Sequence, residues 1–215
     1  MNEKDIIDIT MKIEGWFELA DIISMHKIVS EYDSPISFLE LGSWKGRSTT
    51  CIGLSLPQNS TLKCVDTFMG SDNEISTAHI EAREEGDPIY KQFMKNINIL
   101  KQYRPDLDVI IHRGTTKECI DFFEDLEFDI IFIDSNHTFE YIRWDFFNYY
   151  CKCKDDGLII GHDYHIGCPG IVKFVDTFIR DYVEFYPQPQ GGCSLWSAKK
   201  RDISLNIKEI VNHLL

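Results

Sequence analysis

The sequence is short of the features that would place it in most specialised classes. It has no apolar run near the ~20 residues a membrane-crossing helix needs, no internal repeat and no low-complexity linker. Its N-terminal stretch, MNEKDIIDITMKIEG, is acidic and has neither an apolar h-region nor a small-residue cleavage site. Basic residues are scarce: 22 Lys and Arg face 35 Asp and Glu, a net charge of −13. The longest basic run is Lys199-Lys200-Arg201. That is too little to displace counterions from a phosphate backbone, so no nucleic-acid partner is expected, and no membrane partner either. The seven cysteines, at 51, 64, 119, 151, 153, 168 and 193, form no CxxC pair and no zinc-ligand spacing, and their number is odd. Most lie in apolar segments, as reduced, buried thiols of a cytoplasmic protein do.

What remains is ordinary globular composition, 43% hydrophobic and 27% charged over 215 residues, which suits one domain spanning 1–215. Residues 5–32 read as helix, with Leu19, Ile22, Ile23, His26 and Val29 on one face; the N-terminal helical segment is taken as 1–35, and its face could dock a second copy of the chain. From residue 36 onward short β-type runs alternate with amphipathic stretches, the pattern of βαβ units and a parallel sheet. The expected strands are 36–41, 61–66, 108–114, 128–134 and 157–163, followed by two C-terminal strands around Gly191-Gly192. The expected helices start near Arg47 and Pro88, the latter capped by Asp87. Others carry Cys119, Phe123 and Leu126, then Ile142, Phe146 and Tyr149, then Ile171, Val175, Phe178 and Tyr182. The fold class is therefore α/β, a Rossmann-like doubly wound seven-stranded sheet, mostly parallel with an antiparallel C-terminal hairpin. A polar stretch within residues 69–90 is too long for a simple connection and reads as a lid.

In open sheets of this kind ligands bind at the carboxyl ends of the strands, near the point where strand order reverses. Those ends are Glu40 to Gly46, Asp66, Gly114-Thr115, Asp134 to His137 and His162-Asp163. Acids recur there, and an unpaired carboxylate beside a sheet core is costly unless something binds it. The loop Glu40-Leu41-Gly42-Ser43-Trp44-Lys45-Gly46-Arg47-Ser48 has one glycine fewer and one acid more than a dinucleotide fingerprint. A carboxylate there repels pyrophosphate and suits a cationic or zwitterionic ligand, while Asp66 can hold ribose hydroxyls. The alternative is a tight strand-to-helix turn. Trp44 either stacks on the ligand or covers the sheet edge. On these residues the chain resembles class I S-adenosylmethionine-dependent methyltransferases. The resemblance implies S-adenosylmethionine as cofactor, bound by Glu40, Gly42, Ser43, Trp44, Gly46, Ser48, Asp66, Thr67, Phe68, Gly114, Thr115, Asp134, Ser135 and His137.

Neighbouring strand ends should bring Asp134 and Asp163 together, where two carboxylates share a proton or hold a cation. Singly, each of the two could instead be a helix N-cap. The stretch FIDSNHTFEYIRWDFFNYYCKCKDDGLIIGHDY (132–164) resembles metal-dependent small-molecule O-methyltransferases, a group that includes macrolide-sugar and, more distantly, catechol-type enzymes. The likeness spans about residues 36–165. It implies a catalytic set of His137 (general base), Asp134 and Asp163, with a divalent metal, Mg²⁺ or another, on Asp134, His162 and Asp163. His162 departs from the family's acidic pair, and imidazole favours borderline metals over Mg²⁺. His137 alternatively lies on the cofactor side or caps the following helix. His165 is equally a ligand or a surface loop residue.

The implied activity is O-methylation of a hydroxyl on a small molecule such as a sugar, glycan precursor or natural product, metal-assisted. Two other classes compete: a nicotinamide-dependent oxidoreductase, for which the chain leaves little room for a separate catalytic region, and a non-catalytic S-adenosylmethionine-binding domain, favoured only by His162.

Overall fold

The computed structural model describes residues 1–71, 77–83, 86–187 and 193–203. Five parallel strands form the centre: β1 (Ser37–Leu41), β2 (Thr61–Asp66), β3 (Asp108–Arg113), β4 (Phe128–Ile133) and β5 (Cys153–Gly161). Antiparallel β6 (Glu184–Pro187) and β7 (Cys193–Lys199) extend the sheet beyond β5 in the order β3-β2-β1-β4-β5-β7-β6. The expected seven-stranded mixed sheet is therefore present. The order reverses between β1 and β4, which places the switch-point crevice at the ends of those two strands. Ile130, Ile131 and Phe132 of β4 are wholly buried, as a central strand covered on both faces must be.

One helical layer comprises α1 (Glu3–Thr10), α2 (Leu19–Val29), α3 (Arg47–Ser55) and α5 (Pro88–Tyr103), packed on Phe38, Leu62 and Ile130. The other comprises α7 (Phe139–Tyr149) and α8 (Pro169–Phe174) with the turns that follow, packed on Ile131, Ile159 and Trp196. Each fully buried aliphatic or aromatic side chain contributes about 1.5–3 kcal/mol of transfer free energy, so these two layers, not helix propensity, hold the sheet. None of the described helices is long and apolar enough to cross a membrane.

Several expected boundaries moved. The N-terminal helix is two helices, because residues 11–18 turn around Gly15, whose carbonyl accepts from Arg47 Nη1 at 2.5 Å. Its buried face is Ile22, Met25, Ile28 and Val29, with Leu19 exposed, and α1 packs against α3 of the same chain. Asp87 precedes α5 but in a left-handed conformation and without a side-chain cap; its carboxylate pairs with Arg113 instead. The helix after β3 shrinks to α6 (Thr116–Cys119) and one 3₁₀ turn, leaving Leu126 exposed at φ +57° in the turn before β4. Strand β5 starts at Cys153, four residues early, through a bulge opposite Phe128–Ile130; a Cβ on Gly157 would meet Cys153 Sγ at 2.6 Å. Beyond α8, a π turn (Val175–Ile179) shifts the buried face to Phe174, Val175 and Ile179, so Phe178 and Tyr182 are only half-buried. Within the expected lid, the described residues are 69–71, α4 (Thr77–Glu81) with 82–83, and 86–90, the last three of which already belong to α5; 72–76, 84–85 and the Gly191-Gly192 turn lie outside the described residues.

Candidate active site

The strand ends enclose a cleft of about 1020 Å³ between the glycine loop and the ends of β4 and β5. Gly42 sets the distance between its walls. Its φ is +92°, its N–H donates to Val65 O at 2.8 Å, and a Cβ there would lie 2.0 Å from the carbonyl oxygen of Asp134. Only glycine meets both demands. From there the loop runs over Asp66. The N–H groups of Ser43 and Trp44 each donate to Asp66 Oδ2 at 2.8 Å, and that of Phe68 donates to Oδ1 at 2.5 Å. Burial raises the Asp66 pKa, with these three amides acting against it. A carboxylate has about four lone-pair sites, so at least one remains for a ligand hydroxyl.

Three expected cofactor contacts lie elsewhere. Glu40 is fully buried beneath the loop and accepts hydrogen bonds from Ser43 Oγ (2.7 Å), Ser48 Oγ (2.7 Å) and Thr49 Oγ1 (2.5 Å). Burial pushes its pKa up to about 7, against those hydroxyl bonds. Gly46 turns at φ +87° against Phe93 and Asn96, and Phe68 packs in the core on Tyr90 and Phe93. They are off the cleft wall because the loop needs a floor: a buried acid to gather its hydroxyls and a glycine to start α3. Gly42, Ser43, Trp44, Ser48, Asp66, Thr67, Gly114, Thr115, Ser135 and His137 do line the cleft. Thr115 also caps α6, with Glu118 reciprocating. Trp44 forms a ring cluster with Trp16 and His79, centroids 5.1–5.6 Å apart, and all three line the cleft.

On the opposite wall Asp134 and Asp163 do meet, with His162 between them. His162 Nδ1 lies 3.4 Å from Asp134 Oδ1 and 3.3 Å from Asp163 Oδ2. Its Nε2 faces Ser194 Oγ at 2.8 Å and Asp21 Oδ2 at 3.3 Å. Burial works to lower the His162 pKa, but the charges of Asp163 and Asp134 prevail and hold it well above the usual histidine range, as an imidazolium. Asp163, at φ +62°, also accepts from His137 Nε2 at 2.9 Å and His165 Nε2 at 3.2 Å. Burial likewise opposes the His137 shift, and its bonds to Asp163 and Cys168 outweigh it, raising the pKa to about 11. Burial would raise Asp163, yet His162 and the three imidazole bonds keep it well below the carboxylate range. Neither Asp134 nor His137 caps α7: Thr138 does, accepting from Tyr141 N–H at 3.4 Å.

Asp21, Ser194, His165 and Cys168 also line the cleft, although none was expected there except His165 as an open alternative. For Asp21 a signal existed. It stands four and seven residues before Met25 and Ile28 on the buried stripe of α2, where an acid needs a partner. Ser194 gave none, since it reaches the cleft from β7; Cys168 had one in its place three residues after His165 in the loop that follows Asp163.

Residues 39–164 match a family model described as a methyltransferase domain. Among solved structures, the chain is similar to a candidate O-methyltransferase from Klebsiella pneumoniae (16% identity, TM-score 0.57, covering 92% of this chain and 88% of that one). It is also similar to an O-methyltransferase from Bacillus cereus in complex with SAH (13%, 0.55, 92% and 90%). A third is the O-methyltransferase TomG from Streptomyces achromogenes, involved in tomaymycin synthesis, in complex with SAM (11%, 0.54, 92% and 88%). These likenesses are of fold. No curated protein matches the chain by sequence.

Proposed function

Because the chain belongs to the methyltransferase-domain family, we propose that it moves a methyl group from S-adenosylmethionine to a hydroxyl of a small molecule such as a sugar, glycan precursor or natural product. One observation carries the choice of cofactor. On the glycine-loop wall the Asp66 carboxylate is held by three backbone amides, those of Ser43, Trp44 and Phe68, and not by a Lys or Arg, so its charge is left for a ligand. Such a wall attracts a sulfonium or ammonium and repels a pyrophosphate. The volume suits a nucleoside cofactor together with a small acceptor.

When bound, S-adenosylmethionine supplies a sulfonium-activated methyl to the acceptor oxygen and leaves as neutral S-adenosylhomocysteine. Asp66 and the Gly42–Ser48 loop hold and orient it, and pre-positioning of the two reactants provides much of the rate. His137 is the base that receives the acceptor proton, its ring fixed by Asp163. That pair keeps His137 protonated in the ligand-free cleft. To act as base it must first lose that proton to solvent, and a cation held beside Asp134 and Asp163 would favour the loss, because like charge disfavours the imidazolium.

The donor set at the ends of β4 and β5 fits a divalent ion. His162 Nδ1 lies 3.4 Å from Asp134 Oδ1 and 3.3 Å from Asp163 Oδ2, with all three donors within 4.8 Å of one another, and an ion held there would displace the Nδ1 proton of His162. Ser194 and Asp21 would orient the ring from behind. An ion held there would lower the pKa of an acceptor hydroxyl, and the imidazole favours a borderline metal. The buried, unpaired thiols of Cys51, Cys64, Cys119 and Cys153 suit a reducing, cytoplasmic setting.

Calorimetry with S-adenosylmethionine, S-adenosylhomocysteine and NADH tests the cofactor. Saturable binding of the first two is expected. Binding of NADH with no response to S-adenosylhomocysteine sinks the reading. A screen of sugars, glycosides and catechols for methyl acceptance then identifies the acceptor.

A further inference from the structure

The loop after β5 carries Asp163-Tyr164-His165-Ile166-Gly167-Cys168, and just beyond it Gly170 packs against the backbone of residues 137–139 at the start of α7. Cys168 Sγ lies 3.8 Å from His165 Nε2, and its thiol is in hydrogen-bond contact with His137. Asp163 joins both imidazoles, at 2.9 Å to His137 and 3.2 Å to His165. Single donor atoms of His137, Asp163 and Cys168 all fall within 4.8 Å of one another. A tetrahedral zinc site with bonds of about 2.0–2.3 Å separates its donors by roughly 3.3–3.7 Å, so the cluster is within small side-chain shifts of that geometry. The sulfur decides the metal class. Thiolate and imidazole beside a carboxylate select Zn²⁺ or Co²⁺ and discriminate against Mg²⁺.

We propose that His137, Asp163 and Cys168 bind a borderline divalent metal such as Zn²⁺, with a fourth position left to water. Binding converts the Cys168 thiol to a metal-bound thiolate and displaces protons from the sulfur and the imidazole to solvent. The site shares Asp163 with the Asp134–His162 set but differs from it in having sulfur. It also has a functional consequence, which rests on the reading of His137 as base. A metal on the His137 nitrogen occupies the lone pair that would accept the proton, so Zn²⁺ in excess should slow methyl transfer.

The test is spectroscopic and needs no acceptor. Full-length protein is stripped with chelator and titrated with Co²⁺ alone. A near-ultraviolet thiolate-to-cobalt charge-transfer band is expected, saturating at one equivalent and displaced by Zn²⁺. It should vanish in Cys168→Ser, a half-buried loop position where serine keeps the fold, and need at least about tenfold more Co²⁺ in His137→Ala. It should persist in Asp134→Asn, which disturbs only the sulfur-free set. No such band in the wild-type protein, or one that survives Cys168→Ser, overturns the proposal. Failure here with S-adenosylhomocysteine binding intact removes only the metal site. A normal band without S-adenosylhomocysteine binding removes only the methyl-transfer reading.

Discussion

On the glycine-loop wall, Glu40 and Asp66 are surrounded by neutral donors: three side-chain hydroxyls for one, three backbone amides for the other. On the facing wall, Asp134 and Asp163 are surrounded by imidazoles. Neutral dipoles fix a shape without cancelling charge, so the first wall is a preformed, acidic seat. Imidazoles cancel charge and can give it up, which is the basis for placing the proposed proton transfer on the second wall. Burial raises the pKa on the first wall, Glu40 to about 7. On the second, ion pairing outweighs burial and drives His137 to about 11. The same residue type, a carboxylate at a strand end, thus serves two ends through its neighbours.

The sharpest way to separate the walls is His137→Ala. Methyl transfer should fall in kcat by about 10²–10⁴, while S-adenosylhomocysteine affinity, read by calorimetry, changes little. Retained activity would take His137 out of the chemistry. Next comes Gly42→Ala, which should break both walls at once. A methyl group 2.0 Å from Asp134 O must displace the loop or the strand end. A loss of about 2–4 kcal/mol in urea unfolding is expected, and a near-neutral result would mean the walls are not in contact in solution.

Glu40→Gln probes the first wall through pH. Folded Glu40 binds its proton more tightly than the unfolded chain does, so its contribution is most favourable below pH ~4.5 and declines as pH rises toward 7, by about 1–3 kcal/mol. The variant should flatten the stability curve over that window, and an unchanged slope between pH 4.5 and 7 would show that Glu40 is ionised throughout. The smallest effect belongs outside both walls. Lys45 pairs with Glu14 at 2.6 Å, but Glu14 is 72% exposed. Glu14→Gln should shift stability by no more than about 0.5 kcal/mol, and a larger loss would show the N-terminal bend to be part of the seat.

The central strands and the seat were readable because both follow from local rules: apolar runs bounded by turns, then glycine and acid at a strand end. β2 and α3 fall where their patterns put them, and Asp66 lies on the wall it was expected to line. What escaped depends on neighbours that a sequence does not order. Gly15 broke a continuous helical pattern because Arg47, far along the chain, holds its carbonyl. Glu40 carried the right residue type for a ligand contact, yet three hydroxyls from the next turn drew it beneath the loop. Cys168 lies only three residues after His165, but its approach to His137 comes from another strand end and left no mark in the sequence. His162 stood out as a departure in sequence, but only packing shows it wedged between two carboxylates, with Asp21 behind.

Gly42 has a consequence in time as well as in space. Its missing side chain puts the glycine loop in direct contact with the carbonyl that ends β4, so the loop cannot settle without carrying Asp134 with it. Filling the seat should therefore stiffen the strand end that faces the acceptor. A two-substrate velocity study is expected to show ordered addition, with the nucleoside entering first and the acceptor meeting a cleft already set.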